Sequence, residues 1–96
     1  MLVRPNRTRL QARVLAIRPE RDGWGAEVDL EVVRNESESP EEDFLRPAAG
    51  STVTVFSAEP ARLQVGSRVR VQASLIAGPA GGRVVLESVE PAPPTP

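Results

Sequence analysis

Residues 63–90 read LQVGSRVRVQASLIAGPAGGRVVLESVE, and this stretch decides the fold class. Gly66 marks where its first run begins. Val69, Val71, Ala73 and Leu75 fall on one face of an extended chain, and Arg68, Arg70, Gln72 and Ser74 fall on the other. Side chains of a strand point to alternate sides, so the pattern predicts a half-buried strand. Gly78-Pro79-Ala80-Gly81-Gly82 then reverses the chain, and Arg83 to Val89 returns as a second strand.

Working outward, composition supports a small all-β domain. The chain has 96 residues, 7 glycines and 10 prolines, enough for one domain with a compact core. Its apolar residues are mostly aliphatic, with 13 valines and 8 leucines against 2 phenylalanines, 1 tryptophan and no tyrosine. Such a chain favours short strands and tight turns over helices. Net charge is −1, so no global field draws the protein to nucleic acid or to an anionic membrane. All 12 basic residues are arginine, a bias that a GC-rich genome produces without any chemical cause.

The missing residue types restrict chemistry. Without Cys there is no disulfide and no thiolate nucleophile; without His the commonest general base and metal ligand is gone. Without Lys there is neither a Schiff base nor a P-loop lysine. The expectation is a non-catalytic protein with no metal and no cofactor. The opening residues MLVRPNRTRL lack the apolar core of a signal peptide, and no apolar run reaches membrane-spanning length. That predicts a cytoplasmic protein without membrane insertion, or a fragment of a larger chain.

Along the chain, residues 1–7 read as a flexible N-terminal arm. From Thr8 the alternation places Leu10, Ala12, Val14 and Ala16 inward and Arg9, Gln11 and Arg13 outward. The phase then slips, because Leu15 and Ile17 are also apolar. A bulge produces such a slip, and so does a strand end buried on both faces. Asp22-Gly23 marks the next turn. From Trp24 to Arg34, Ala26, Val28, Leu30 and Val32 point inward and Glu27, Asp29 and Glu31 outward. A hairpin about that turn brings Arg13, and in a longer register Arg9, toward the acidic row, where opposite charges help fix register.

Residues 35–50 break the pattern. NESESPEED, residues 35–43, holds five acids in nine residues, a composition expected of a solvated, mobile loop. Phe44 could tack its end onto the barrel. Setting those nine residues aside leaves 12 arginines against 8 acids, a mildly basic body. Residues 51–57 form a third strand, with Val53 and Val55 inward and Thr52, Thr54 and Phe56 outward. Residues 58–65 then link to the opening stretch, with room for two helical turns between Pro60 and Gly66 and with Leu63 and Val65 placed to plug a barrel mouth. PAPPTP, residues 91–96, is a Pro-rich tail.

Five strands over residues 8–90, with a short helical or turn link between strands 3 and 4, resemble the OB-fold, the five-stranded Greek-key barrel. The residues that carry the resemblance are the phase-slipped strand Thr8–Arg18, the turn and strand Asp22–Arg34, and LQVGSRVRVQASL running into GPAGGRVVLESVE. The pattern LxVGxxVxVxAxL is also similar to the small β-barrel domain of bacterial competence DNA-uptake channel proteins, although the Asn-Pro-Gly segment usual after that domain is replaced here by the proline tail. An SH3-like barrel also has five strands; the long, slipped first strand and the link before Gly66 favour the OB pattern.

The resemblance implies a binding place across strands 2 and 3, between the first-to-second and fourth-to-fifth loops. Carried onto this sequence, the candidates for binding single-stranded nucleic acid are Arg18, Arg21, Trp24, Thr52, Thr54, Phe56 and Arg83. Arginine would contact phosphate, and Trp24 or Phe56 would stack on a base. On the same surface Glu27, Asp29 and Glu31 oppose a phosphate backbone and suit instead a basic protein partner. Trp24 at a strand start also fits a lid on the barrel end, and Phe56 a cover over a sheet edge.

Overall fold

The computed structural model describes residues 6–21, 23–38, 41, 43, 45–78 and 81–92. Five strands follow in chain order: β1 (Thr8–Pro19), β2 (Ala26–Asn35), β3 (Thr52–Ser57), β4 (Arg68–Gly78) and β5 (Gly81–Pro91). They close into a barrel in the order β1-β2-β3-β5-β4, with β4 returning to pair with β1. All pairings are antiparallel except the short parallel contact of β3 with β5, where Phe56 meets Val85. The expected all-β, closed five-stranded barrel with a short link between its third and fourth strands is therefore the architecture adopted. The N-terminal arm over 1–5, Asp22 of the turn signature, Phe44, Pro79 and the end of the tail lie outside the described residues.

Closure follows from β1. Over Thr8–Arg13 it pairs with β4, and over Leu10–Pro19 with β2, so one strand belongs to both neighbours. The handover falls at the phase slip. Val14 pairs with Leu30 and Ala16 with Asp29, which leaves Leu15 as the extra residue of a bulge. The backbone of Val14 is satisfied by the turn leading into β4: its N–H donates to the Ser67 carbonyl at 3.0 Å, and the Gly66 N–H donates to its own carbonyl at 2.8 Å. Of the two readings of the slip, the bulge is the one realised, since a bulge bends its strand. It also corrects the inward row: Ala16 shares the outer face with Asp29, and Ile17 turns in against Val28.

The core is aliphatic. Leu10, Val14, Val28, Leu30, Val32, Val55 and Val71 are essentially inaccessible, with Ile17, Val53, Val84, Leu86 and Val89 packed around them. Strand β5 has a bulge of its own: Gln72 pairs with Ser88 and Ala73 with Leu86, so Glu87 is the inserted residue. It accepts hydrogen bonds from Ser74 Oγ and from Gln72 Nε2, and those bonds together with burial hold Ser74 at 7% exposure on the face expected to be solvated.

Three details of the linking segments differ from expectation. The two-turn helix shrinks to one 3₁₀ turn, Pro60–Arg62, because Pro60 starts it and Leu63 is already extended. Leu63 is buried and plugs the barrel mouth, whereas Val65 sits in the turn before β4 at 58% exposure. Trp24 precedes β2 and belongs to the turn. Among the described residues no helix is long and apolar enough to cross a membrane.

Candidate binding face

The β1–β2 turn is held by its own backbone. Glu20 N–H donates to the Gly25 carbonyl and Gly23 N–H to the Glu20 carbonyl, both at 3.1 Å. Gly23 and Gly25 take φ of 77° and 83°, a conformation open to glycine at little cost. Trp24 stands between them at 78% exposure, too open for the lid on the barrel end that its position also suggested. Gly25 meets a second demand: a Cβ there would lie 2.4 Å from the Ser57 carbonyl oxygen and 2.7 Å from the Phe56 ring.

Below the turn, pairing register assembles the outer face of β2 and β3. Glu27 is opposite Phe56, Asp29 opposite Thr54 and Glu31 opposite Thr52. On the other side of β2, Arg18 is opposite Glu27 and Arg13 opposite Glu31. Arg18 grips Asp29 with both guanidinium arms, NH1 to Oδ2 at 2.5 Å and NH2 to Oδ1 at 3.0 Å, and reaches Glu27 at 3.4 Å. Thr54 Oγ1 donates to the same Asp29 at 2.7 Å. Arg13 lies 3.6 Å from Glu31. Arg9, placed near this row by a longer register, instead contacts Glu38 and Gln72.

At the upper end, Arg83 from the start of β5 stacks on Phe56, 4.0 Å from the ring centroid, and forms an ion pair with Glu20 of the first loop. A cation over an aromatic face is attracted by its quadrupole. The two loops that should flank the site are thus tied together across β3. Trp24, Arg18, Thr54, Phe56 and Arg83 share this end of the barrel, and Thr52 lies lower on β3 beside Glu31. Arg21 is exposed in the turn and makes no ion pair among the described residues.

Charge balance decides what the face offers. Arg13, Arg18, Arg21 and Arg83 face Glu20, Glu27, Asp29 and Glu31, so the described charges cancel. Arg18 and Arg13 are engaged by acids of the face itself, and the acids likewise by them. Exposed pairs of this kind add little stability, but they fix geometry. The face is polar, near neutral and preorganised, with one large, exposed aromatic beside it.

Asp29 provides a direct test. Its carboxyl is held down to about 2, first by the Arg18 hydrogen bond and then by that from Thr54, which together outweigh its partial burial. The usual value is about 3.9. A depressed carboxyl contributes stability that is present above the unfolded value and lost as pH falls through the folded one, here from about 4 toward 2. Carboxyl-detected NMR should give an Asp29 midpoint near 2, and Arg18→Gln should return it toward about 3.9. A native midpoint near 4 shows that the pair is not formed.

No family model, curated protein or solved structure matches the chain.

Proposed function

We propose that this barrel is a non-catalytic, OB-fold-type binding module that docks a protein partner on the Trp24 end of the β2–β3 face. The observation that supports this most is Trp24 itself, 78% exposed on a backbone-locked turn. Tryptophan anchors of this kind, rigid and ringed by near-neutral polar contacts, carry a large share of interface energy. The acids once expected to meet a basic partner directly are already paired. Glu27 and Glu31, each about half exposed, form the polar rim where a partner's arginine or lysine adds selectivity more than affinity.

Single-stranded nucleic acid is the second reading, favoured by Trp24, Arg21, Phe56 and Arg83 gathered at one end. Its weakness is electrostatic, because phosphate contacts dominate such binding and the basic side chains of this face are matched by acids. Affinity capture from the source cell followed by a titration with the recovered partner separates the two. Trp24→Ala is expected to weaken the partner by roughly 30-fold, about 2 kcal/mol. Oligo-dT is expected to leave Trp24 fluorescence unchanged at low salt. Equal affinity of Trp24→Ala and the parent overturns the protein reading; a salt-sensitive quench by oligo-dT establishes the other.

A further inference from the structure

The face formed by β1 and β4 has a different character. Its outward positions are Arg9, Gln11 and Arg13 on β1 and Arg68, Arg70 and Gln72 on β4, paired Arg9 with Gln72, Gln11 with Arg70 and Arg13 with Arg68. All six are arginine or glutamine, and none is acidic. Arg34 extends the row on β2, opposite Gln11. Glu90, opposite Arg70 on β5, bounds it as an acid. Directly opposed like charges such as Arg13 and Arg68 destabilise a sheet, and anions relieve that repulsion; Glu31 does so for Arg13 from one side.

Two further anions come from the chain leaving β2. Glu36 accepts from Arg70 Nε at 2.9 Å and from its NH2 at 3.3 Å, and Glu38 from Arg9 NH1 at 2.8 Å. The segment is held in two further places: Glu36 N–H donates to the Arg9 carbonyl at 2.8 Å, and Arg9 N–H donates to the Ser37 side-chain Oγ at 3.0 Å. Glu36 and Glu38, two residues apart, thus reach Arg70 on β4 and Arg9 on β1, which are diagonal neighbours across the β1–β4 pair. An acidic peptide therefore already lies on the ladder. The Glu38 end is held only by an exposed ion pair, which adds little, whereas Glu36 is less exposed; the segment is anchored separately by Asp43, which bonds Thr8 and Asn35.

We infer that the Arg/Gln ladder of β1 and β4 is a second interaction surface, which takes an extended acidic peptide segment of a partner protein in place of the chain's own Glu36–Glu38. The forked guanidinium matches a carboxylate with two parallel hydrogen bonds, and Gln11 adds an amide donor. A peptide is favoured over nucleic acid because the occupant in place is a peptide and no aromatic stands on the ladder to stack a base. This surface is separate from the Trp24 face and does not depend on its reading.

The test is fluorescence anisotropy at low ionic strength with a labelled peptide of alternating glutamate and serine, titrated with the full chain. Removing the internal competitor with E36Q/E38Q is expected to tighten binding about tenfold, the scale of two displaced surface pairs. R9Q/R70Q is expected to weaken it at least about tenfold. Amide NMR of the E36Q/E38Q protein gives an independent readout, with peptide-induced shifts expected at Gln11, Arg70 and Gln72. The inference is overturned if E36Q/E38Q binds no tighter than the parent, or if the shifts fall instead on Trp24, Asp29, Thr54 and Phe56. It is equally overturned if oligo-dT binds the unmasked protein more tightly than the peptide, or if that protein only self-associates.

Discussion

Gly25→Ala is expected to lower the thermal midpoint by at least about 10 °C, and Gly23→Ala by about half as much or less. Both glycines have positive φ, which costs an L-residue about 1–2 kcal/mol. Around Gly23 there is open space, so that strain is the whole cost. At Gly25 the added methyl meets the Ser57 carbonyl at 2.4 Å and the Phe56 ring at 2.7 Å. Ser57 is buried and its backbone belongs to the end of β3, so it cannot retreat cheaply. Overpacking of this kind adds about 1–3 kcal/mol, and each kcal/mol moves the midpoint of a domain this size by about 4–8 °C. The displaced Phe56 would also lose its stack with Arg83. A calorimetric comparison of the two variants decides the matter: near-equal midpoints show that β3 does not press on this turn.

That contact shows where the sequence is legible and where it is not. Strand identity was readable because a barrel strand buries one face, and Val69, Val71 and Ala73 follow the period of two without interruption. The bulge at Leu15 was readable as a slip, since two adjacent apolar residues cannot both continue one row. The one in β5 was not: Val84, Val85, Leu86 and Val89 contain the same change of phase, but Glu87 and Ser88 are both polar and conceal which is inserted. Gly25 gave no sign of close packing, because only tertiary structure brings Ser57 beneath it. Trp24 next to the alternating run looked like a strand residue, and the two glycines flanking it were the signal that it belongs to the turn.

The candidate face was legible as a list of residues and not as chemistry. Arg18, Thr54 and Asp29 were all placed on one surface, but whether Arg18 faces a ligand or a neighbour depends on a register set by the bulge. The bulge moves Ala16 opposite Asp29 and Arg18 opposite Glu27, and that brings the guanidinium onto the carboxylate. The Arg/Gln ladder was visible in RLQAR and RVRVQ as outward rows; what put them side by side was the β1–β4 pairing that closes the barrel. NESESPEED read as a solvated stretch by composition, because nothing in its local pattern distinguishes Asp43 from the four other acids.

Asp43→Ala should be strongly destabilising although the residue lies outside the aliphatic core. The carboxylate is 4% exposed and accepts from Thr8 Oγ1 at 2.6 Å, Asn35 Nδ2 at 2.7 Å and the Arg46 N–H at 2.9 Å. Burial pushes this carboxyl up, but the bonds from Asn35, Thr8 and the backbone outweigh it and hold it below the ordinary range. Alanine leaves the fully buried Thr8 hydroxyl without an acceptor and removes hydrogen bonds to a charged group, each worth about 1.5–3 kcal/mol. A loss of about 3 kcal/mol or more is expected in urea unfolding, with Asp43→Asn intermediate because its carbonyl oxygen can still accept. The pH dependence gives the sign. A carboxyl with a lowered folded value contributes stability above its unfolded value of about 3.9, and that contribution drains away as pH falls below it. Asp43→Asn should therefore flatten the acid limb of the stability curve while leaving the slope above pH ~5 unchanged. An acid limb as steep as the parent's would mean that Asp43 is not what ties the acidic segment to the start of β1.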